Sequence, residues 1–193
     1  MDTVEEGMKL ILQGLQQRYD LDLQDDNFLD TPERVSRMCE ELFAGVKDTD
    51  KKVSEILKAA FPCSYDQLIV VKDIEAFSVC PHHFLPVHYK IYVSYLPNGH
   101  VVGLSKIARL VTLLARRPVL QEQLTEDISS SLMKIQGCLG AACVVEGLHY
   151  CMAMRGVKQS SAKTITSSLK GALLDTGLKQ EFLFLSFKKE VEE

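Results

Sequence analysis

The sequence predicts an α+β fold, an antiparallel sheet with helices packed on one face and a helical N-terminal extension. Three observations point there. Apolar residues recur at helical spacing through the first third; a central block is dense in β-branched and aromatic residues; and the two patterns then alternate again toward the C-terminus. At 193 residues the chain can bury one core and is short for two. Its 46% hydrophobic and 25% charged residues exclude the disordered and fibrous classes.

Taken in order, "TVEEGMKLILQGLQQRY" (3–19) has the spacing of an amphipathic helix. "DTPERVSRMCEELFAGV" (30–46) opens a second, with Thr31 as N-cap and Pro32 at the first helical position, where a missing N–H costs nothing. "KKVSEILKAAF" (51–61) is a weaker third, so residues 1–60 read as the helical extension and 61–193 as the main fold, within one structural unit. "DQLIVVKDIEAFSVC" (66–80) and "LPVHYKIYVSYLPNGHVVGL" (85–104) read as antiparallel strands, with "PNG" marking a turn. The helical period returns in "IARLVTLLARR" (107–117), stops at Pro118 and resumes in "LQEQLTEDISSSLMKI" (120–135). "AACVVEGLHYCMAMRG" (141–156) and "AKTITSSLKG" (162–171) are strands again, and the tail "KQEFLFLSFKKEVEE" (179–193) is helical. No internal repeat or low-complexity linker is visible.

Charge and composition narrow the function. A net charge of −4 argues against general nucleic-acid or anionic-membrane binding while leaving room for a local basic pocket. The opening "MDTVEEGMKL" is acidic where a secretory signal is basic, and no apolar run approaches the roughly 18 residues of a membrane span. A cytoplasmic protein is expected. The six cysteines form no dense framework, so disulfides are not expected and some thiols are free to serve as ligands.

The chemistry concentrates in "SVCPHHFLPV" and "GLHYC". Cys80 and His83 are close enough to grip one ion from a strand end or turn, and His149 and Cys151, two apart, share a face on a regular strand. Thiolate and imidazole are the donors zinc prefers. By residue type alone three readings stay open: a catalytic zinc site, a closed structural one, or cysteines used as small buried groups beside satisfied histidines. His88 and His100 lack cysteine or carboxylate companions and are not expected to be ligands. Arg116 and Arg117 are expected to face solvent or a neighbouring subunit.

Five stretches, "DTPERV", "SVCPHHFLPV", "YLPNGHVVGLSKIARLV", "RRPVLQEQLT" and "GLHYCMAMRGV", occur in an order that closely resembles the GTP cyclohydrolase I family, from about residue 30 onward. The resemblance implies the tunnelling fold, in which subunit sheets join into an oligomeric barrel, and a homodecamer of two pentamers with sites between subunits. It implies a zinc-dependent enzyme that opens the imidazole ring of GTP, releases formate and yields 7,8-dihydroneopterin triphosphate for folate and pterin synthesis. It assigns Cys80, His83 and Cys151 to zinc, and His82 and His149 to proton transfer, work that suits an imidazole of ordinary pKa about 6.5. Glu122 is to accept guanine hydrogen bonds with Gln121 assisting, Ser105 to contact the ribose, and Lys106, Arg109, Arg155 and Arg34 to bind triphosphate.

Two positions depart from the family pattern: Pro81 stands where many members have glutamate, and Gln123 where arginine is common. Alternatives in the same fold are a non-catalytic protein that keeps zinc structurally, and a nitrile reductase with a cysteine nucleophile. "KTITSS" (163–168) matches a family strand near the site and is given no chemistry.

Overall fold

The computed structural model describes residues 2–188, in two compact units that divide between Ala44 and Gly45. The first unit is a helix pair, α1 (Thr3–Tyr19) and α2 (Thr31–Leu42). Asp2 caps α1 by accepting the Val4 N–H, and the Ser36 hydroxyl of α2 also donates to its carboxylate, which ties the two helices together. The cap of α2 is Asp30 and not Thr31. The Asp30 carbonyl takes the first helical bond, from Arg34 N–H, while the Thr31 hydroxyl points back to the Asn27 carbonyl.

The second unit holds everything from α3 (Thr49–Leu57) onward. Val53 and Leu57 of α3 are buried in the main core, so the segment expected to be one extension over 1–60 belongs in part to the sheet-bearing unit. β2 (Ile69–Val79), β3 (Pro86–Leu96), β5 (Gly140–His149) and β6 (Thr164–Gly171) form one antiparallel sheet in the order β2-β3-β5-β6. β1 (Ala60–Pro62) pairs separately with β4 (His100–Val102), and between β3 and β4 Gly99 takes the positive φ, +76°, that the "PNG" turn requires. The α+β class and the antiparallel pairing are as the sequence predicts.

β3 is one of the two inner strands. On one face Tyr89, Ile91, Val93 and Tyr95 pack under α4 (Leu104–Ala115) and α5 (Gln121–Leu132) through Ile107, Leu110, Leu114, Leu124 and Ile128. On the other face Tyr92, Ala142 and Val144 meet Leu173 and Phe182, the latter from α7 (Thr176–Phe187). The expected single helical layer is therefore supplemented by α7 on the opposite face, where these apolar side chains need cover. Asp175 caps α7 by accepting from Gly177 and Leu178 N–H. Residues 189–193 of the predicted tail helix lie outside the described residues.

α5 rests on the sheet through a polar seam. Gln121, Thr125 and Ser129, four apart on α5, meet Thr166 and Ser168, two apart on β6: Gln121 Nε2 donates to Thr166 Oγ1 at 3.1 Å, Thr125 and Thr166 hydroxyls lie 2.6 Å apart, and Ser129 and Ser168 hydroxyls 2.7 Å apart. Four helical residues advance about 6.0 Å and two strand residues about 6.8 Å, so the two ladders stay in step over this length. "KTITSS" thus holds α5 in place.

Close approach at Gly140 gives a direct test of the packing. A Cβ there would stand 2.6 Å from Ala172 N and 2.7 Å from Leu173 N, backbone atoms that cannot swing away. Gly140→Ala should lower stability by about 1–3 kcal/mol in urea unfolding, whereas Gly7→Ala, with nothing within 4 Å of its Cβ on α1, should raise it by about 0.5–1 kcal/mol. Equal effects at the two sites would contradict this packing.

Candidate metal centre and catalytic pocket

Strand register builds the site. β2 and β3 pair up to Val79 opposite Pro86, so the loop between them lies at one end of the sheet. Val87 pairs with His149, which brings the end of β5 to the same place, and a bridge between Val79 and Pro118 brings in the start of α5. The Ser78 hydroxyl donates to the Arg117 carbonyl at 2.7 Å and fixes that approach.

The β2–β3 loop is a tight turn in which the Cys80 carbonyl accepts from Phe84 N–H at 2.9 Å and His83 N–H at 3.4 Å, while Cys80 N–H donates to Leu85 O at 2.8 Å. Pro81 follows Cys80, at a turn position that suits its fixed φ and from which this bonding draws no N–H. The departure from glutamate leaves the turn intact.

At this end Cys80, His83 and Cys151 come together with their ligand atoms all within 4.8 Å of one another. Cys80 Sγ lies 3.9 Å from His83 Nδ1. Tetrahedral zinc with ordinary bond lengths sets S and N about 3.6 Å apart, so the pair needs only a small contraction. Cys151 reaches the cluster from a helical turn, α6 (Tyr150–Ala153), and not from the strand that carries His149. The expectation of one shared strand face is corrected: β5 ends at His149, and the turn redirects the thiol toward Cys80. Burial and the neighbouring Cys80 thiol push the Cys151 pKa up, so this thiol keeps its proton until a cation displaces it.

A cavity of about 230 Å³ opens beside the cluster, lined among others by Pro81, His82, Glu122, His149 and Met152. His82 lines it, as do Cys80 and Cys151, and His83 does not, although the Nδ1 atoms of His82 and His83 lie 4.0 and 3.9 Å from Cys80 Sγ. Burial holds His149 below the ordinary histidine range, and the Glu122 carboxylate opposes part of that shift. Gln121 is 2% exposed and its amide is committed within the protein: Nε2 donates to Val145 O, Thr164 O and Thr166 Oγ1, and Oε1 lies 2.9 Å from His149 Nε2. Glu122, one residue on, turns outward, because successive helical residues do not share a face.

Not every expected group comes to this pocket. Lys106 and Arg109 line a second cavity of about 340 Å³ with Lys52, Glu55, Ile56 and Leu113, where Lys106 Nζ donates to Ile56 O at 2.8 Å. Ser105 and Arg155 are exposed and line neither cavity. Arg34 lies in the first unit, paired with Asp30 at 3.2 Å. Arg117, expected at the surface, turns inward to Asp127 at 2.6 Å, and Gln123 donates to the same carboxylate at 2.7 Å.

Sequence reading passed over Tyr89. It is fully buried, lies edge-to-face with His149 at a centroid distance of 6.2 Å, and pairs across the sheet with Gly147. Burial and then the negative charges available at Cys80 and Glu122 push its pKa far up; beyond an approach of Ser78 its hydroxyl has no well-formed hydrogen bond. A buried O–H donor at such a place suits a thiolate neighbour. The signal that could have found it is the glycine opposite, which leaves room for the ring.

Comparison with known proteins now decides the family. The family model for GTP cyclohydrolase I matches residues 4–186. This chain belongs to the GTP cyclohydrolase I family. The GTP cyclohydrolase 1 of Clostridium perfringens is 41% identical over 181 residues, covering 93% of this chain and 94% of that protein. That of Bifidobacterium longum is 41% identical over 189 residues, 97% and 92% of the two, and that of Thermoanaerobacter pseudethanolicus 47% identical over 147 residues, 76% and 77%. The match to GTP cyclohydrolase I spans both compact units and includes the α1–α2 pair, so the chain is an enzyme of this family and the nitrile reductase alternative falls away.

Metal binding at this cluster must release thiol protons. Zinc affinity should therefore rise between about pH 6 and pH 8, and Cys80→Ala or Cys151→Ala should each lower it at least about tenfold. Competition titration with a chromophoric chelator reads both. Affinity indifferent to pH and to both substitutions would mean that zinc binds elsewhere.

Proposed function

We propose that the chain is a zinc-dependent GTP cyclohydrolase I. It opens the guanine imidazole ring of GTP by hydrolysis, releases formate and rearranges the remainder to 7,8-dihydroneopterin triphosphate, the first step of folate and pterin synthesis. The observation that carries this reading is the convergence of Cys80, His83 and Cys151 beside a cavity that also contains His82, Glu122 and His149. Two sulfurs and one imidazole form a donor set suited to zinc with a position left open, where the bound metal supplies Lewis-acid activation of water.

The residues divide the work by their chemistry. Glu122 faces the cavity with two acceptor oxygens, which match the ring N–H and exocyclic amine of guanine; adenine does not offer that pair. His149, whose pKa burial lowers, accepts a proton and returns it, and His82, which lines the same cavity, does so as well. Lys106 and Arg109, with Arg155 and Arg34, bind the triphosphate, and Ser105 contacts the ribose. Lys106 and Arg109 line a cavity that shares no residue with the one holding the cluster, which supports sites assembled between subunits of a homodecamer of two pentamers. Among the described residues no helix is long and apolar enough to cross a membrane, and a cytoplasmic enzyme without nucleic-acid or membrane partners fits the net charge of −4.

Zinc-loaded protein given GTP should release formate and form a pterin that fluoresces after oxidation. His149→Ala should lower kcat by about 10²- to 10⁴-fold, and Glu122→Ala should raise KM for GTP by roughly 10- to 100-fold. Zinc-loaded parent protein that makes neither product would overturn the proposal.

A further inference from the structure

We infer that Gln121 is a positioning residue for His149, whose Nε2 proton it fixes so that only Nδ1 exchanges protons with the substrate. The inference rests on the proposed cyclohydrolase reading and replaces the expectation that Gln121 assists guanine binding.

The amide orientation follows from its partners. Val145 O and Thr164 O are backbone carbonyls and can only accept, at 3.1 and 2.9 Å from the Gln121 side-chain nitrogen. That nitrogen is therefore Nε2, and the atom facing His149 is Oε1, which can only accept in turn. The proton in the 2.9 Å contact belongs to His149 Nε2. In a neutral imidazole with Nε2 protonated, Nδ1 carries the lone pair. One hydrogen bond thereby decides which nitrogen is the base.

The surroundings hold this clamp in place. Gln121 is the first residue of α5, 2% exposed, and its carbonyl accepts the Thr125 hydroxyl at 2.7 Å. Thr125 and Gln121 both bond Thr166, so the seam between α5 and β6 locks the amide. Gly147 stands two residues before His149 on β5, and a Cβ there would lie 2.2 Å from Gln121 Oε1. Only a glycine leaves the amide this room beside the imidazole. The Tyr89 ring, edge-on to His149, limits rotation of the imidazole on another side. With no N–H left to offer, the amide has little to give guanine, and Glu122 is left as the purine's acceptor in this pair.

The test uses full-length, zinc-loaded protein labelled with ¹⁵N-histidine and magic-angle-spinning ¹⁵N NMR, with His149 assigned by its loss in His149→Asn. The expected parent signal is a protonated Nε2 with an unprotonated Nδ1. Gln121→Met should lose that single tautomer and lower kcat at least about tenfold while KM for GTP changes less than about threefold; Gln121→Glu, which keeps an acceptor, should retain the tautomer. Gly147→Ala displaces the same amide from the strand side and should disturb the signal if Gln121→Met does not fold. An Nδ1-protonated parent, or a Gln121→Met protein with the parent tautomer and a raised KM, would overturn the inference. The tautomer is read without turnover, so a parent that binds zinc but makes no formate would sink the proposed function and leave the clamp to be judged by the NMR alone.

Discussion

The register of three antiparallel strands is the constraint on which the rest depends. Val79 opposite Pro86 and Val87 opposite His149 place the Cys80 turn and the end of β5 side by side. A slip of one residue would turn His149 to the other face and move the α6 turn away from Cys80. What prevents a slip is burial on both faces of β3. Ile91 and Val93 are 0% and 1% exposed under α4 and α5, while Tyr92 between them is covered by Phe182 from the opposite side. The core therefore sets the geometry of the ligands, since Cys80 belongs to it and Cys151 packs against it.

The second constraint is polar. α5 meets β6 through hydroxyls and an amide where apolar contact would suffice for stability, and a buried polar group is costly unless it is satisfied. Gln121, Thr125 and Ser129 are each buried and each hydrogen-bonded. Directional bonds fix the axial position of a helix more closely than apolar packing does. That suits an element whose first turn carries Gln121 against His149 and Glu122 into the cavity.

Much of this was legible in the sequence, and the rest was hidden for physical reasons. Periodicity gave the helices and strands because each has at least one apolar face, and "CPHH" with "HYC" gave the donor set because the residue types are specific. Periodicity does not report depth. Glu122 and Gln121 look alike as a dipeptide and both line the cavity, yet one helical step of about 100° leaves Glu122 exposed and Gln121 buried. Arg117 read as a surface cation, and its half-buried partner Asp127 lies too far along the chain for a local pattern to reveal. Cys151 read as a strand residue because nothing between His149 and Met152 breaks a strand; the turn there is imposed by tertiary packing. Pro81 looked like a loss and proves compatible with the turn, which draws no N–H from that position.

The central claim is that one metal ion is held by Cys80, His83 and Cys151. X-ray absorption at the zinc edge, on full-length protein as purified, tests it most directly. The account predicts a first shell of two sulfurs at about 2.3 Å with nitrogen or oxygen at about 2.0–2.1 Å completing four ligands. A shell without sulfur, or one of four sulfurs, would contradict it, because the first would place the metal away from both cysteines and the second would need thiols that this end of the sheet does not supply.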